Sequence, residues 1–152
     1  METLVRRLGR IFSLKTKTEQ PSPSPRTIRR MDSLERTLSI WLENKGWRVP
    51  VRTAVEAAER LNTDTGTLHR YFQQRYGLDF RTWRTRLRLE DAKRMLAENP
   101  AMQAAEAGRR AGFSDRSNFA RQFRDYTGFT PVQWRKRSGI SHDIPDPEND
   151  YV

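Results

Sequence analysis

The feature that most constrains this chain is an internal repeat with an offset of 51 residues. Apolar, basic, acidic and glycine positions recur in the same order in the pairs Asp64/Asp115, Leu68/Phe119, Arg70/Arg121, Phe72/Phe123, Gly77/Gly128, Trp83/Trp134 and Arg84/Arg135. Matches of several residue types at one offset indicate two similar supersecondary units in a single chain. Two such units offer two places at which to contact something long and periodic.

The second copy of the repeat has the pattern of two consecutive helices. Ser114 and Asp115 can cap the first helix and Gly128 can end it, while Thr130 and Pro131 suit the start of the next. The first helix is amphipathic, with aromatic residues at helical spacing on one face. Its other face is short, polar and cationic, and carries Ser117, Ala120, Arg121 and Arg124.

The first copy predicts a helix over residues 65–76 in the same register. Its inward positions are Leu68, Tyr71 and Phe72, and its outward positions are Gly66, His69, Arg70 and Gln73. The whole chain predicts an all-α fold of about seven helices, in which a long connecting helix joins the two units. That helix is expected from Asp79 to about Ala97, on the order of 27 Å, and an earlier first helix is expected to begin at the capping box Asp32/Glu35 and to end at Gly46.

Three groups of residues resemble the DNA-binding region of the AraC/XylS-type transcription regulators. The first unit is similar in Ala58-x-x-Leu61 and Leu68-x-Arg70-x-Phe72. The connecting helix is similar in Gly77-x-x-Phe80-x-x-Trp83 and Arg88-Leu89-x-x-Ala92-x-x-Leu96. The C-terminal motif of the family resembles Gly112-Phe113-Ser114, Phe119-x-Arg121-x-Phe123 and Gly128-x-Thr130-Pro131-x-x-Trp134-Arg135. The resemblance covers about residues 33 to 138 and implies an all-α fold in which two helix-turn-helix units are joined by a long connecting helix.

A helix fits the major groove of DNA, where arginine can pair with guanine and asparagine with adenine. We therefore assign one groove to Gly66, Thr67, His69, Arg70 and Gln73, and the next to Arg116, Ser117, Asn118, Ala120 and Arg121; these positions also match those at which the family contacts DNA. Candidates for phosphate contacts, which position a protein without reading sequence, are Arg124, Arg135 and Lys136. The paired phenylalanines, Trp83 and Trp134 are interpreted as core residues.

The charge distribution favours a polyanionic partner. The formal net charge is +10, and residues 33–138 alone carry 21 basic and 12 acidic side chains, so we expect double-stranded DNA as the partner. We divide the chain into a basic, mostly disordered tail with a Pro/Ser linker (1–31), the double helix-turn-helix domain (32–138) and an acidic disordered tail (139–152). Cysteine is absent, which suits a cytoplasmic location, and no apolar run reaches the ~20 residues of a membrane span.

The supporting helix of the second unit departs from the family pattern. Gly108 stands where the family usually has alanine, and glycine inside a helix is about 0.5–1 kcal/mol less favourable than alanine. Ala104 and Ala107 also stand where larger aliphatic residues are common in the family. We therefore expect the second unit to be the more loosely packed of the two.

The leading functional hypothesis is a sequence-specific transcription regulator without cofactor, and activation is the usual role in the family. The chain resembles short family members that lack a sensor domain, bind DNA as monomers and recruit RNA polymerase. An architectural or recombination accessory protein with little sequence preference is the alternative, and the amphipathic segment 1–14 also leaves a membrane-surface role open. An enzyme acting on DNA is disfavoured because there is no cysteine nucleophile and the carboxylates are scattered. A metal site is disfavoured because His69 and His142 are the only histidines.

Overall fold

The computed structural model describes residues 23–138, and within that range the regular structure is entirely helical. The helices are α1 (Pro25–Glu43), α2 (Ala54–Arg60), α3 (Thr65–Tyr76), α4 (Phe80–Glu98), α5 (Ala104–Arg110), α6 (Arg116–Thr127) and α7 (Pro131–Arg137), with a short 3-10 helix at Gly46–Arg48. The all-α prediction with seven α-helices is thereby confirmed. The chain divides into two compact units at Arg84/Thr85, inside α4. Residues 1–22 of the predicted N-terminal tail (1–31) and the whole predicted C-terminal tail (139–152) lie outside the described residues.

The start of α1 was predicted wrongly. The helix begins at Pro25, where Ser24 is the N-cap and its hydroxyl accepts a hydrogen bond from the Thr27 amide. A serine followed by proline is itself a helix-start signal, because proline at the first position has no amide to satisfy, but the repeated proline and serine of residues 21–25 favour a linker instead. The predicted capping residues Asp32 and Glu35 therefore lie inside α1. The proposed domain boundary at residue 31/32 also falls within this helix.

The end of α1 also differs from the prediction. The helix stops at Glu43, and Lys45 takes a left-handed conformation with φ 53°. Gly46, predicted as the terminator, is buried in the following turn, and a Cβ there would lie 2.3 Å from the Trp41 indole nitrogen. Glycine is needed at this position because the ring packs directly on the backbone.

The core of the first unit is built largely from aromatic rings. The side chains of Phe72 and Trp83 are buried and their rings are 4.8 Å apart, while Trp41 stacks on Trp83 at 6.2 Å. Phe80 of α4 also packs against Phe72, at 5.3 Å. The prediction that Phe72 and Trp83 are core residues is confirmed. This aromatic cluster holds α3 so that its polar face points outward.

The core of the second unit centres on Phe119 and Phe123 of α6. They pack with Leu89, Ala92 and other apolar residues of α4, with α5, and with the partly buried Trp134 of α7. Gly108 of α5 is buried against the Phe119 ring, which fills the space a side chain would take. At position 108 there is no loss of packing, because the larger aromatic at 119 compensates for the missing side chain; the looser packing of the second unit as a whole stays a prediction.

The helix termini repeat as the sequence predicts. Asp64 and Asp115 are the N-caps of α3 and α6, and Gly77 and Gly128 end these helices with φ of 66° and 81°. Thr130 forms a complete capping box at the start of α7. The connecting helix α4 matches its predicted bounds within one residue at each end. Equivalent residues thus set the same register on α3 and α6.

Candidate nucleic-acid interface

The outer face of α3 carries most of the residues predicted for the first groove. Gly66, His69, Arg70 and Gln73 are all exposed. Thr67 is the exception, because its side chain is buried and its hydroxyl donates to the Asp64 carboxylate at 2.8 Å. Thr67 therefore stabilises the start of α3, and we remove it from the set of residues expected to read bases.

The carboxylate of Asp64 is held at the start of α3 by several donors. It accepts the Thr67 amide at 2.8 Å, the Thr67 hydroxyl at 2.8 Å and the Arg30 guanidinium at 3.1 Å. The hydrogen bonds from Thr67, followed by the charge of Arg30, hold the pKa of Asp64 below its ordinary value. The capping carboxylate is thereby kept ionised, the form that complements the positive end of a helix.

The outer face of α6 carries the second predicted set. Arg116, Ser117, Arg121 and Arg124 are exposed, whereas Asn118 and Ala120 are half-buried. The exposed positions Ser117, Arg121 and Arg124 are the repeat partners of Gly66, Arg70 and Gln73. The two units therefore present faces with the same register and different side chains.

Asn118 organises the middle of the α6 face. Its amide oxygen accepts hydrogen bonds from the Arg121 guanidinium at 2.9 Å and the Gln122 amide at 2.8 Å. The Asn118 backbone amide in turn donates to the Asp115 carboxylate at 2.5 Å. Arg121 is thus oriented by a neighbour on its own helix, which reduces the conformational freedom that it would lose on binding a base.

Arg135 has a different environment from the one predicted. Its guanidinium donates to the carbonyl of Pro100 at 3.3 Å and to the carbonyl of Met102. Its repeat partner Arg84 donates to the carbonyl of Val51 at 3.0 Å, across the same separation of 33 residues as Arg135 and Met102. Both arginines therefore bind the chain segment that precedes the supporting helix of their own unit, and we withdraw Arg135 as a phosphate candidate.

A basic groove of about 550 Å³ lies where α6 meets α7. Its lining residues are Arg124, Gly128, Phe129, Thr130, Gln133, Lys136 and Arg137. The groove brings together two predicted phosphate candidates, Arg124 and Lys136, and adds Arg137, whose guanidinium lies 4.5 Å from the centre of the Phe129 ring. In the sequence, Arg137 is marked only by the basic run at 135–137. The fold is needed to show which residues of this run line the groove.

Residues 23–138 contain neither a cluster of metal ligands nor a membrane-spanning helix. No group of three or more His, Asp or Glu side chains is placed to hold a metal ion. None of the helices in this range is both long enough and apolar enough to span a membrane.

A family profile described as a helix-turn-helix domain matches residues 57–137. The Msm operon regulatory protein of Streptococcus mutans is 30% identical over 81 residues, which are 53% of this chain and 29% of that protein. The arabinose operon regulatory protein of Escherichia coli is 27% identical over 123 residues, covering 71% of this chain and 40% of that protein. The chain thus spans less than half the length of these relatives.

Among solved structures, the C-terminal domain of the two-component response regulator yesN from Fusobacterium nucleatum superposes with a TM-score of 0.59 at 26% identity. That match covers 68% of this chain and 98% of the other. The C-terminal domain of AraT, a response regulator from Geobacillus stearothermophilus, has a TM-score of 0.57 at 22% identity and supports the fold alone. The structural matches agree with the helix-turn-helix profile.

Proposed function

Because this chain belongs to the AraC-type helix-turn-helix family, we propose that it is a sequence-specific DNA-binding transcription regulator that inserts α3 and α6 into successive major grooves. The observation that carries the proposal is the shared register of the two outer faces. Arg70 and Arg121 are exposed at equivalent positions, and each projects from a helix whose opposite face is fixed by buried rings. A rigid helix with an exposed arginine is suited to guanine recognition in the major groove.

The side chains around the two arginines predict that the two half-sites differ in sequence. The first unit has His69 where the second has Ala120, and Gly66 where the second has Ser117. Histidine offers ring nitrogens to base edges, whereas an alanine methyl group favours contact with the methyl group of thymine. The target is therefore a bipartite site with non-identical elements in fixed order.

The groove between α6 and α7 supplies the contacts that position the second unit. Arg124, Lys136 and Arg137 surround it, and a phosphate placed there would meet three cationic side chains. Contacts of this type hold a protein in register on the duplex and carry no sequence information themselves. They also make the affinity fall steeply as salt concentration rises.

The role in transcription is supported by the two relatives described above, both of which are named as regulatory proteins of operons. We propose that the chain binds promoter DNA as a monomer, acts as an activator and contacts RNA polymerase. A monomer suffices because one chain already contains two reading helices.

Selection of bound fragments from a pool of random duplexes at physiological salt tests the proposal. The expected result is one motif with two short elements about one helical turn apart. When the selection is repeated with Arg70→Ala, one element of the motif should lose its sequence preference. With Arg121→Ala, the other element should lose its preference. Tight, salt-sensitive binding without any enriched motif would contradict sequence-specific regulation and indicate an architectural DNA-binding protein instead.

A further inference from the structure

The N-terminal turns of α1 carry a cluster of arginines that no helix-stabilising role explains. Arg26, Arg29 and Arg30 lie within the first six residues of the helix, and its first turn contains no acidic side chain. Cations are disfavoured at a helix N-terminus, where the peptide dipoles already present positive charge. The arginines therefore destabilise the start of α1, which indicates that they have a role outside this helix.

An ion pair between two exposed side chains places this cluster next to α3. The Arg30 guanidinium lies 3.1 Å from the carboxylate of Asp64, the N-cap of α3. Farther along the same face of α1, Leu34 and Leu38 are buried in the core of the first unit. The arginine end of α1 therefore lies beside the N-terminus of the reading helix.

Arg26 and Arg29 extend this basic surface. Arg26 is one turn before Arg30 on the same helix face, about 6 Å farther along, and Arg29 lies beside both. Arg26 and Arg29 are exposed, and within residues 23–138 neither forms an ion pair with a carboxylate. Two guanidinium groups can thus bind a ligand next to the N-terminus of α3.

We infer that Arg26 and Arg29 bind backbone phosphates of the DNA that flanks the site read by α3. The inference rests on the proposed DNA-binding function and adds a third contact region, outside both helix-turn-helix units. Guanidinium groups suit phosphate oxygens because they can donate two parallel hydrogen bonds. Phosphate contacts next to α3 would fix how deeply and at what angle that helix enters the groove.

The test compares the full-length chain with Arg26→Ala/Arg29→Ala on two labelled duplexes, one with the selected site and one of random sequence, between 50 and 200 mM salt. Two lost phosphate contacts should reduce the slope of log K against log salt concentration by about 1.8. The affinity at 100 mM salt should fall on the order of 10- to 60-fold on both duplexes. Arg30 is kept so that the Asp64 ion pair is preserved.

Arg36→Ala is the matched control. Arg36 is an exposed arginine on the same helix, two turns beyond Arg29 and on nearly the same face, and its removal should leave the slope unchanged. Circular dichroism and thermal melting check that each variant retains its fold.

Three results would overturn the inference. The first is an unchanged slope in the double variant while the parent chain binds DNA normally. The second is a loss confined to the selected site, which would assign the arginines to base reading. The third is unchanged DNA binding together with weaker binding to anionic lipid vesicles, which would assign the cluster to a membrane surface. If the parent chain binds neither duplex, the proposed function itself fails, and this inference fails with it.

Discussion

The ring of Phe119 occupies the space that a side chain at position 108 would need. A Cβ built on Gly108 would lie 2.5 Å from Cδ1 and 2.6 Å from Cγ of Phe119, well inside van der Waals contact. The equivalent positions of the first unit hold Ala57 and Leu68, both buried. At these equivalent positions the second unit combines a glycine with a phenylalanine, whereas the first unit combines an alanine with a leucine.

Gly108→Ala should therefore destabilise the protein, although alanine is the better helix former. Overpacking of a core by one methyl group reduces the free energy of unfolding by about 1–3 kcal/mol, which exceeds the gain of about 0.5–1 kcal/mol in helix propensity. Urea denaturation measures the difference. Gly66→Ala is the control, since Gly66 is exposed and its added Cβ would approach only the Asp64 carboxylate, at 3.3 Å.

Addition of Phe119→Leu to Gly108→Ala should restore part of the lost stability, because it recreates the alanine and leucine pair of the first unit. Phe119→Leu alone should destabilise the protein by leaving a cavity beside Gly108. A double variant no more stable than Gly108→Ala would show that the conflict at position 108 does not involve the Phe119 ring.

Arg135→Ala should lower stability while leaving the salt dependence of DNA binding unchanged. The guanidinium joins α7 to the carbonyls of Pro100 and Met102, and hydrogen bonds from a charged donor contribute roughly 1.5–3 kcal/mol. Arg135→Lys should recover little of this, because an ammonium group cannot span both carbonyls in the same planar geometry. A reduced slope of log K against log salt concentration for Arg135→Ala would return the residue to the phosphate-binding set.

The comparison of Arg135 with Gly128 shows how far the sequence could predict the fold and the site. Gly128, Asp115 and Thr130 act through contacts within a few residues, so their roles were predicted correctly from local pattern. Arg135 and Thr67 are both among the residues predicted to contact DNA, yet each is engaged by a partner within the chain. The partner of Arg135 is more than thirty residues away, and only the folded chain reveals it.

Packing compensation between residues on different helices also could not be predicted from the local sequence. Gly108 taken alone predicts a weaker helix, and the effect of Phe119 on it depends on how α5 and α6 face each other. The early start of α1 is a different case. Ser24 and Pro25 supplied a local signal, but it was outweighed by the repeated Pro/Ser composition around it.

Asp64→Ala should weaken the start of α3, since loss of an N-cap side chain costs about 1 kcal/mol. The pH dependence follows from the lowered pKa of Asp64 in the folded state. The stabilisation is fully present above the unfolded-state pKa of about 3.9 and is lost as pH falls through the lower folded-state value. The difference in unfolding free energy between parent and variant should therefore be constant near neutral pH and shrink below about pH 4. A difference that grows on acidification would contradict this account.

Lys136→Ala should weaken binding to specific and random duplexes by the same factor and reduce the salt slope by about one, as expected for a phosphate contact in the groove between α6 and α7. Arg137→Ala should behave similarly, because its guanidinium lines the same groove above Phe129. Electrophoretic mobility shifts at four or more salt concentrations provide both slopes. Equal affinity of Lys136→Ala and parent at every salt concentration would show that the groove does not contact DNA.

Arg121→Ala, unlike Lys136→Ala, should affect the two duplexes differently. We expect a loss of about 1–3 kcal/mol in binding free energy on the selected site and a much smaller loss on random DNA. Asn118→Ala removes the acceptor that orients the Arg121 guanidinium, so it should reduce specific affinity through Arg121 as well as through any contact of its own. The double variant tests this dependence. If Asn118 acts through Arg121, the loss of binding free energy in the double variant should be smaller than the sum of the two single-variant losses. Titration of the four proteins against the selected duplex completes the cycle, and full additivity would show that the two side chains contribute independently.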